Sequence, residues 1–327
     1  MEFPNTTLIG RAASIPVNSA SPIVTFMPVV LLAKDRKDRK FDLELKVTAP
    51  ATGDNLPIIL LSHGHGPSNY LSSLKGYGPI GDWWAAHGFV VILPTHLNSR
   101  QLGFELNPET IQDTFMASRV KDMIQVLDSL DTIEETVPLL KGRLDRSKIA
   151  VAGHSLGSLT ANILLGAVNT DPRDGTKLEA ADQRIKAGVI FGGLGLGGDD
   201  RSENGKKMLP FYDINFDTLT TPLLTIWGDD DASPHLAARD ATWHLDPYTH
   251  SKGPKAQFCV KGGKHGFGGI SGWDALECQD EDPERLGFMQ RVTWAYLRSQ
   301  LYPGDNAWEE AKKVIAQNAE IGNIEEK

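Results

Sequence analysis

The chain has 327 residues, of which 40% are hydrophobic and 23% charged, so it is long and apolar enough to bury a sizeable core. Its formal net charge of −9 argues against nucleic acid or an anionic membrane as a partner. No stretch approaches the roughly 18 apolar residues of a membrane span, so no transmembrane segment is predicted. The N-terminus lacks the pattern of a secretory signal, and we expect a cytoplasmic protein unless such a signal has been removed.

The N-terminal part of the sequence predicts an antiparallel hairpin. Residues 23–33 and 41–49 are rich in apolar side chains, and the second run alternates between apolar and polar positions as a half-exposed strand does. The charged residues 34–40 between them are interpreted as a solvated turn rather than a binding patch. We therefore expect a hairpin at one edge of a larger sheet.

From residue 56 onward, short continuous apolar runs alternate with segments of helical periodicity. Such runs are typical of strands that are buried on both faces of a parallel sheet. The pattern predicts an α/β fold with a doubly wound sheet of about eight mostly parallel strands, in one domain spanning residues 1–327. The predicted strands cover residues 56–61, 89–93, 148–152, 185–191, 222–227 and 256–260. One long helix is predicted to start at residue 107, and two others to cover residues 234–245 and 283–301. Small lid or pocket loops are expected near 95–107 and 192–220. The extension 303–327 is predicted as an acidic helix with a frayed end.

One segment carries the signature of a nucleophile. An apolar run leads into Gly153-His154-Ser155-Leu156-Gly157, and a helix of small and aliphatic side chains follows at once. Strand, G-x-S-x-G and helix are the context of a nucleophile elbow, in which the glycines permit a turn sharp enough to expose the serine hydroxyl. The N-terminus of the helix would also favour the negative charge that develops during acyl transfer. Ser155 is therefore the predicted nucleophile.

A general base and an acid that orients it are expected after later strands, because active sites in open parallel sheets form at the carboxyl ends of the strands. His265 follows the last of these predicted strands, in a glycine-rich segment, and is the predicted base. Asp229, Asp230 and Asp231 follow the strand before it. Asp231 is the predicted acid and Asp230 the alternative, and either choice gives the chain order Ser, Asp, His.

Two backbone N–H groups are predicted to form an oxyanion hole. One belongs to Leu156, directly after the nucleophile, and the other to His65 in the segment 62–66 (Ser-His-Gly-His-Gly) that follows an earlier strand. The pair His63 and His65 also suggests a metal site. However, no carboxylate or third ligand stands nearby at the spacing of a metal site, so neither a metal nor a cofactor is predicted.

Four residues are candidates for lining a substrate pocket: Tyr70, Phe104, Leu194 and Phe267. For the three aromatic residues, packing in the core or in a lid is the alternative. Leu194 belongs to the glycine-rich segment 192–198, which we interpret as a mobile loop at the acyl pocket. A dinucleotide-binding reading of these glycines is disfavoured because a polar stretch follows them instead of a packed helix.

The two cysteines, Cys259 and Cys278, bracket the segment that contains His265. They do not make a disulfide framework, and the sequence allows either one bridge or two free thiols. A bridge would close a loop of about 20 residues and contribute roughly 3 kcal/mol through the unfolded state.

These motifs resemble those of the α/β-hydrolase superfamily over about residues 25–300. Within the superfamily the chain is most similar to the branch of chlorophyllase-like and platelet-activating-factor-acetylhydrolase-like esterases. The resemblance rests on the segments 62–66, 151–157, 228–231 and 263–266.

The resemblance implies a serine carboxylic-ester hydrolase with a Ser-His-Asp triad, an acyl-enzyme intermediate and a small or medium-sized ester as substrate. A thioesterase, lactonase, amidase or acyltransferase on the same site, or a non-catalytic binding protein, is the alternative. There is one departure, because the acetylhydrolases carry their acid after the strand that directly follows the nucleophile helix. Here that position holds the segment 192–198, with no aspartate before Asp199, which favours the general esterase pattern.

Overall fold

A nine-stranded sheet forms the centre of the protein. The computed structural model describes residues 6–34, 39–103 and 108–327, with side chains for all of these except 6–7 and 108–114. Phe104 and part of the predicted charged turn therefore lie outside the described residues. The strands are β1 (Ile23–Leu31), β2 (Leu43–Pro50), β3 (Leu56–Ser62), β4 (Val90–Pro94), β5 (Leu144–His154), β6 (Val168–Thr170), β7 (Lys177–Leu178), β8 (Ile185–Phe191), β9 (Ile214–Asn215), β10 (Leu223–Gly228), β11 (Lys255–Val260) and β12 (Gly322–Glu326).

Nine helices are present in the described part of the chain. They are α1 (Thr6–Ile9), α2 (Gly78–Ala86), α3 (Pro108–Asp128), α4 (Leu130–Thr136), α5 (Leu156–Leu165), α6 (Glu203–Met208), α7 (Asp246–Thr249), α8 (Pro283–Leu301) and α9 (Ala307–Ala316). Among these helices, none combines the length and the apolar composition needed to cross a membrane. The starts of α3 and α8 at a proline agree with the prediction, since proline suits the first turn of a helix.

The sheet has the strand order β1-β2-β4-β3-β5-β8-β10-β11-β12. The pairs from β4 to β11 are parallel, whereas β1 and β2 form the antiparallel hairpin at one edge. All residues of β3 and of β11 are buried, which explains why their sequences are continuous apolar runs. The predicted α/β class with a mostly parallel sheet is confirmed, with one strand more than expected.

The additional strand comes from the C-terminal extension. β12 pairs antiparallel with β11, with Ile324 opposite Phe258, and the predicted frayed end is therefore wrong. Without β12 the outer edge of β11 would carry a row of unpaired backbone groups. The Trp308 Nε1–H donates to Glu326 Oε1 at 2.6 Å and so fastens the new strand to α9. A polar edge strand has no continuous apolar run, which is why the sequence did not reveal it.

A second expectation also fails. Residues 234–245 form turns and a short 3₁₀ segment, Ala241–Leu245, instead of a helix. Asp240 Oδ1 accepts hydrogen bonds from the backbone N–H and the hydroxyl of Thr242, and such local bonds compete with a continuous helix.

The expected pocket region, residues 192–220, contains the 3₁₀ turn Gly198–Asp200, α6 and β9. β9 joins β6 and β7 in a small antiparallel sheet. No packed helix follows the glycine-rich segment directly, so a dinucleotide-binding βαβ unit is not formed there. Cys259 and Cys278 are free thiols, and the bridge considered above is not present.

Candidate active site

Ser155 lies in the turn between β5 and α5 with φ 54° and ψ −122°. Positive φ is rare for a residue with a side chain and costs free energy, so the surrounding structure must impose it. Two close approaches do so: a Cβ atom at Gly153 would clash with the carbonyl oxygen of Gly157, and one at Gly157 would clash with that of Ser62. The glycines of the motif are therefore required by packing, and the serine has the strand–turn–helix context that was predicted.

Alanine at Gly157 is expected to lower the free energy of unfolding by roughly 1–3 kcal/mol or more, because its methyl group must push the Ser62 backbone away. Gly81, inside α2, is the matched control. A Cβ there would meet Val91 at 3.5 Å, an ordinary contact, so Gly81→Ala should be neutral or stabilise by up to about 1 kcal/mol. Urea denaturation measures both changes. Equal stabilities of the two variants would contradict the close approach at Gly157.

Asp231 and His265 form a direct pair. The His265 Nδ1 lies 2.9 Å from Asp231 Oδ2 and 3.1 Å from Oδ1, and Asp231 is only 3% exposed. Asp230 is exposed, and Asp229 accepts a hydrogen bond from the Gly262 N–H at 2.6 Å. Of the three adjacent aspartates, the structure thus brings Asp231 to the predicted base.

The two groups of this pair change each other's pKa. Burial lowers the pKa of His265, but the Asp231 carboxylate outweighs burial, so the pKa lies above its ordinary value. Burial raises the pKa of Asp231, and the neighbouring His265 carries it below its ordinary value. The site therefore favours an imidazolium beside a carboxylate, which is the state that a base reaches after it accepts a proton.

A further histidine, His244, lies beside the pair and was missed by the sequence analysis. Its Nδ1–H donates to the Gly193 carbonyl at 2.6 Å, and its Nε2 lies 3.7 Å from Asp231 Oδ2. Among the described residues, Asp231, His244 and His265 are the one group whose potential metal-ligand atoms lie within 4.8 Å of one another. The direct hydrogen bond between Asp231 and His265 accounts for their closeness without an ion.

Ser155 and His265 both lie close to residues 191–192, at the end of β8. The Ser155 N–H donates to the Phe191 carbonyl at 3.0 Å, and a Cβ at the next residue, Gly192, would lie 3.0 Å from His265 Cε1. Ser155 Oγ and His265 Nε2 make no hydrogen bond with each other or with any other described residue. Catalytic hydrogen bonds are often long before substrate binds, and both atoms are available for one.

The segment after β3 packs against the start of α5. The Gly64 N–H donates to the Tyr77 hydroxyl oxygen at 2.8 Å, whereas the N–H groups of His65 and Leu156 have no acceptor within the described parts of the chain. Burial lowers the pKa of the His65 side chain, and Arg119 lowers it further. The two predicted oxyanion donors are therefore both unpaired, as a site for a developing oxyanion requires.

A buried arginine holds this segment in place. Arg119 of α3 donates to the His63 carbonyl, to Thr160 Oγ1 of α5 at 2.9 Å and to Asn98 Oδ1 at 2.7 Å. The amide of Asn98 then donates to His65 Nδ1 at 3.2 Å. Arg119 thus links the segment after β3 to the helix that follows Ser155.

A second part of this network lies deeper in the protein. Arg119 also donates to Ser62 Oγ at 3.1 Å, and Ser62 Oγ lies 3.0 Å from His96 Nε2. The His96 Nδ1 lies 2.9 Å from Asp122 Oδ2, and Arg39 pairs with the same carboxylate at 3.0 Å. No pattern in the sequence indicated this network, since polar side chains such as Arg119 and Asp122 on a helix are usually solvated.

The candidate pocket residues have different positions. Phe267 is fully buried, with its ring 6.2 Å from that of His154 and 6.0 Å from that of Phe191, so core packing replaces the pocket-lining interpretation. Leu194 is buried and donates its N–H to Ser158 Oγ at 3.2 Å. Tyr70 is half-buried beside Gly272, and its role in a pocket stays a prediction.

Comparison with known proteins gives one informative similarity. The chain is 30% identical over 173 residues to a protein named platelet-activating factor acetylhydrolase, from Cavia porcellus. The chain has an α/β-hydrolase fold. The match covers 43% of this chain and 35% of that protein, so the chain spans about a third of the length of this curated relative. No protein-family model matches the chain. The similarity supports a hydrolase in general and does not distinguish branches of the superfamily.

Proposed function

We propose that the protein is a serine carboxylic-ester hydrolase that acts through Ser155, His265 and Asp231. The observation that carries the proposal is the strained turn at Ser155 together with the Asp231–His265 pair, both of which lie beside residues 191–192. Backbone strain of this kind persists where the surrounding structure imposes it, and it is concentrated at functional sites. The similarity to a protein named as an acetylhydrolase supports the same class of reaction.

In the proposed reaction, Ser155 Oγ attacks the ester carbonyl while His265 Nε2 accepts its proton. The His265 Nδ1–H remains with Asp231, whose carboxylate fixes the tautomer and stabilises the imidazolium. The imidazolium then gives its proton to the leaving alkoxide, and an acyl-enzyme remains. A water molecule, deprotonated by the same histidine, releases the acid and restores the Ser155 hydroxyl.

The oxyanion is proposed to bind between the N–H groups of His65 and Leu156. Both groups are unpaired among the described residues, and the second lies at the N-terminus of α5, where the helix dipole favours negative charge. Preorganised donors of this kind contribute about 3–4 kcal/mol each to the stabilisation of the transition state.

The proposed substrate class is a small or medium-sized ester. The name of the Cavia porcellus relative denotes removal of an acetyl group, which makes a short acyl chain the first choice. In this chain the acid follows β10, whereas no aspartate occurs after β8 before Asp199. This departure from the acetylhydrolase pattern favours a general esterase over an enzyme for one phospholipid.

A panel of p-nitrophenyl esters of increasing acyl length, with matched thioester, lactone and anilide substrates, tests the proposal. We expect the short-chain esters to be hydrolysed fastest, with free acid as the product. Faster turnover of a thioester or lactone would replace the esterase assignment with that activity. If no activated substrate is turned over and no active-site label is incorporated, the protein is a binding protein on the hydrolase scaffold.

A further inference from the structure

A continuous chain of hydrogen bonds crosses the base of the site. The Gly64 N and the Tyr77 Oη are 2.8 Å apart, the Tyr77 Oη and His154 Nδ1 are 2.8 Å apart, and His154 Nε2 lies 2.8 Å from the His265 carbonyl oxygen. Tyr77 is 1% exposed and His154 is 3% exposed. His154 is the residue before the proposed nucleophile, and neither side chain takes part in the reaction described above.

The donors and acceptors in this row of hydrogen bonds can be arranged in one way only. A carbonyl oxygen accepts, so His154 Nε2 must carry a hydrogen and donate to His265. Burial lowers the pKa of His154 to about 3, and the ring is therefore neutral with an acceptor at Nδ1. The Tyr77 hydroxyl must then donate to Nδ1, and its oxygen accepts the Gly64 N–H. Every group in this buried row is satisfied in that arrangement.

The two ends of this row of hydrogen bonds contact the two segments that the proposed reaction requires. Gly64 directly precedes His65, whose N–H is a proposed oxyanion donor, and the other end is the backbone of the proposed base. The Tyr77 N–H also donates to the Ser271 carbonyl at 2.9 Å, which ties the same residue to the segment after His265. Tyr77 has φ 61°, a rare backbone conformation that these contacts on both sides hold in place.

We propose that Tyr77 and His154 are positioning residues that fix the oxyanion segment and the base segment relative to Ser155. This inference rests on the proposed function, since it assigns a role in the same reaction. A phenylalanine would fill the space of Tyr77, but it would leave the Gly64 N–H and His154 Nδ1 without partners in a buried place. The oxyanion donor and the base act most strongly in the transition state, so the loss should fall on kcat rather than on KM.

We expect Tyr77→Phe and His154→Leu to lower kcat by about 100-fold, the effect of a misplacement of about 1 Å, with little change in KM. His154→Gln can still donate an amide N–H to the His265 carbonyl, so its kcat should be about tenfold higher than that of His154→Leu. Tyr296→Phe, which changes a buried tyrosine of α8 packed on Trp308, is the matched control and should keep wild-type kcat.

Imidazole nitrogen NMR provides a readout that does not need turnover. In the wild type, His154 should remain the Nε2–H tautomer throughout the stable pH range, and Tyr77→Phe should change its Nδ1 shift and the resonances of His265. Thermal unfolding of each variant identifies any that fails to fold, and the spectra of the remaining variants then decide.

Three results overturn the inference: wild-type kcat in Tyr77→Phe, a change confined to the melting temperature, or an Nδ1–H tautomer of His154. An inactive wild type with the expected tautomer and shifts would instead refute the proposed function, while the hydrogen bonds that join Gly64, Tyr77, His154 and His265 would stand. The two failures are therefore distinguishable.

Discussion

Replacing Ser155 with alanine is expected to reduce kcat for an activated ester by about 10⁶-fold, by analogy with the removal of other triad nucleophiles. The same change should abolish covalent labelling by a fluorophosphonate. The acyl-enzyme route needs this hydroxyl, because Ser155 is the residue that occupies the strained turn between β5 and α5. Stopped-flow kinetics and intact-protein mass spectrometry of the labelled chain measure the two effects.

Ser147→Ala is the matched control for that experiment. Ser147 lies in β5 as well, near the opposite end from the turn, and its side chain is exposed. This variant should keep both wild-type kcat and full labelling. Labelling that persists in Ser155→Ala would show that another residue is the nucleophile and would refute the assignment.

Asp231→Asn is expected to reduce kcat by about 10⁴-fold, because the amide can hold the imidazole in the wrong tautomer and cannot stabilise the imidazolium. The pH profile should also move. A base must be neutral to act, and the pKa of His265 lies above 6.5 because of Asp231, so wild-type kcat/KM should fall with decreasing pH through a pKa above that value. In the variant the two contributions of Asp231 that raise the pKa are lost, while burial and the smaller attraction of Asp280 remain, so the fall should occur at lower pH. Profiles from pH 4 to pH 9 measure both shifts.

Asp230→Asn is the control for this second experiment, because its side chain is exposed and one residue away from the pair. Its kcat should stay within about twofold of wild type, as for most exposed substitutions. Loss of activity in Asp230→Asn with an active Asp231→Asn would move the orienting acid to Asp230.

Much of the fold follows from burial patterns in the sequence. The residues of β3, β8, β10 and β11 are nearly all buried, so their apolar runs predicted the strands to within one residue. β12 was missed because an edge strand packs one face at most and can be polar. The segment 234–245 looked helical because its side chains are compatible with a helix, whereas hydrogen bonds made by Asp240 decide its local structure.

For the candidate site, the sequence indicated the residues that we propose to react but not the side chains that hold them in place. Ser155, Asp231 and His265 stand in recognisable local contexts, since each lies at or shortly after the carboxyl end of a strand. Tyr77 and Arg119 have no such context, because their roles depend on partners 13 to 77 residues away in the chain. The sequence favoured Asp231 with Asp230 as the alternative, and the folded backbone shows that Asp231 is the aspartate that turns inward.

A second set of Ser, His and Asp side chains lies apart from the candidate site: Ser62, His96 and Asp122 form a buried row that is joined by hydrogen bonds throughout. It has the spacing of a catalytic triad but no route for a substrate, since none of the three is more than 2% exposed. Burial and then Arg119 hold the pKa of His96 well below its ordinary value, so that ring is a poor acceptor for a serine proton. Burial lowers the pKa of both His96 and His265, but only at His265 does a neighbouring carboxylate outweigh burial and raise the pKa. If Ser155 is the nucleophile as proposed, a reactive serine is distinguished by its access to substrate and by the charge that its histidine can hold, and hydrogen-bonded spacing alone would select the buried row instead.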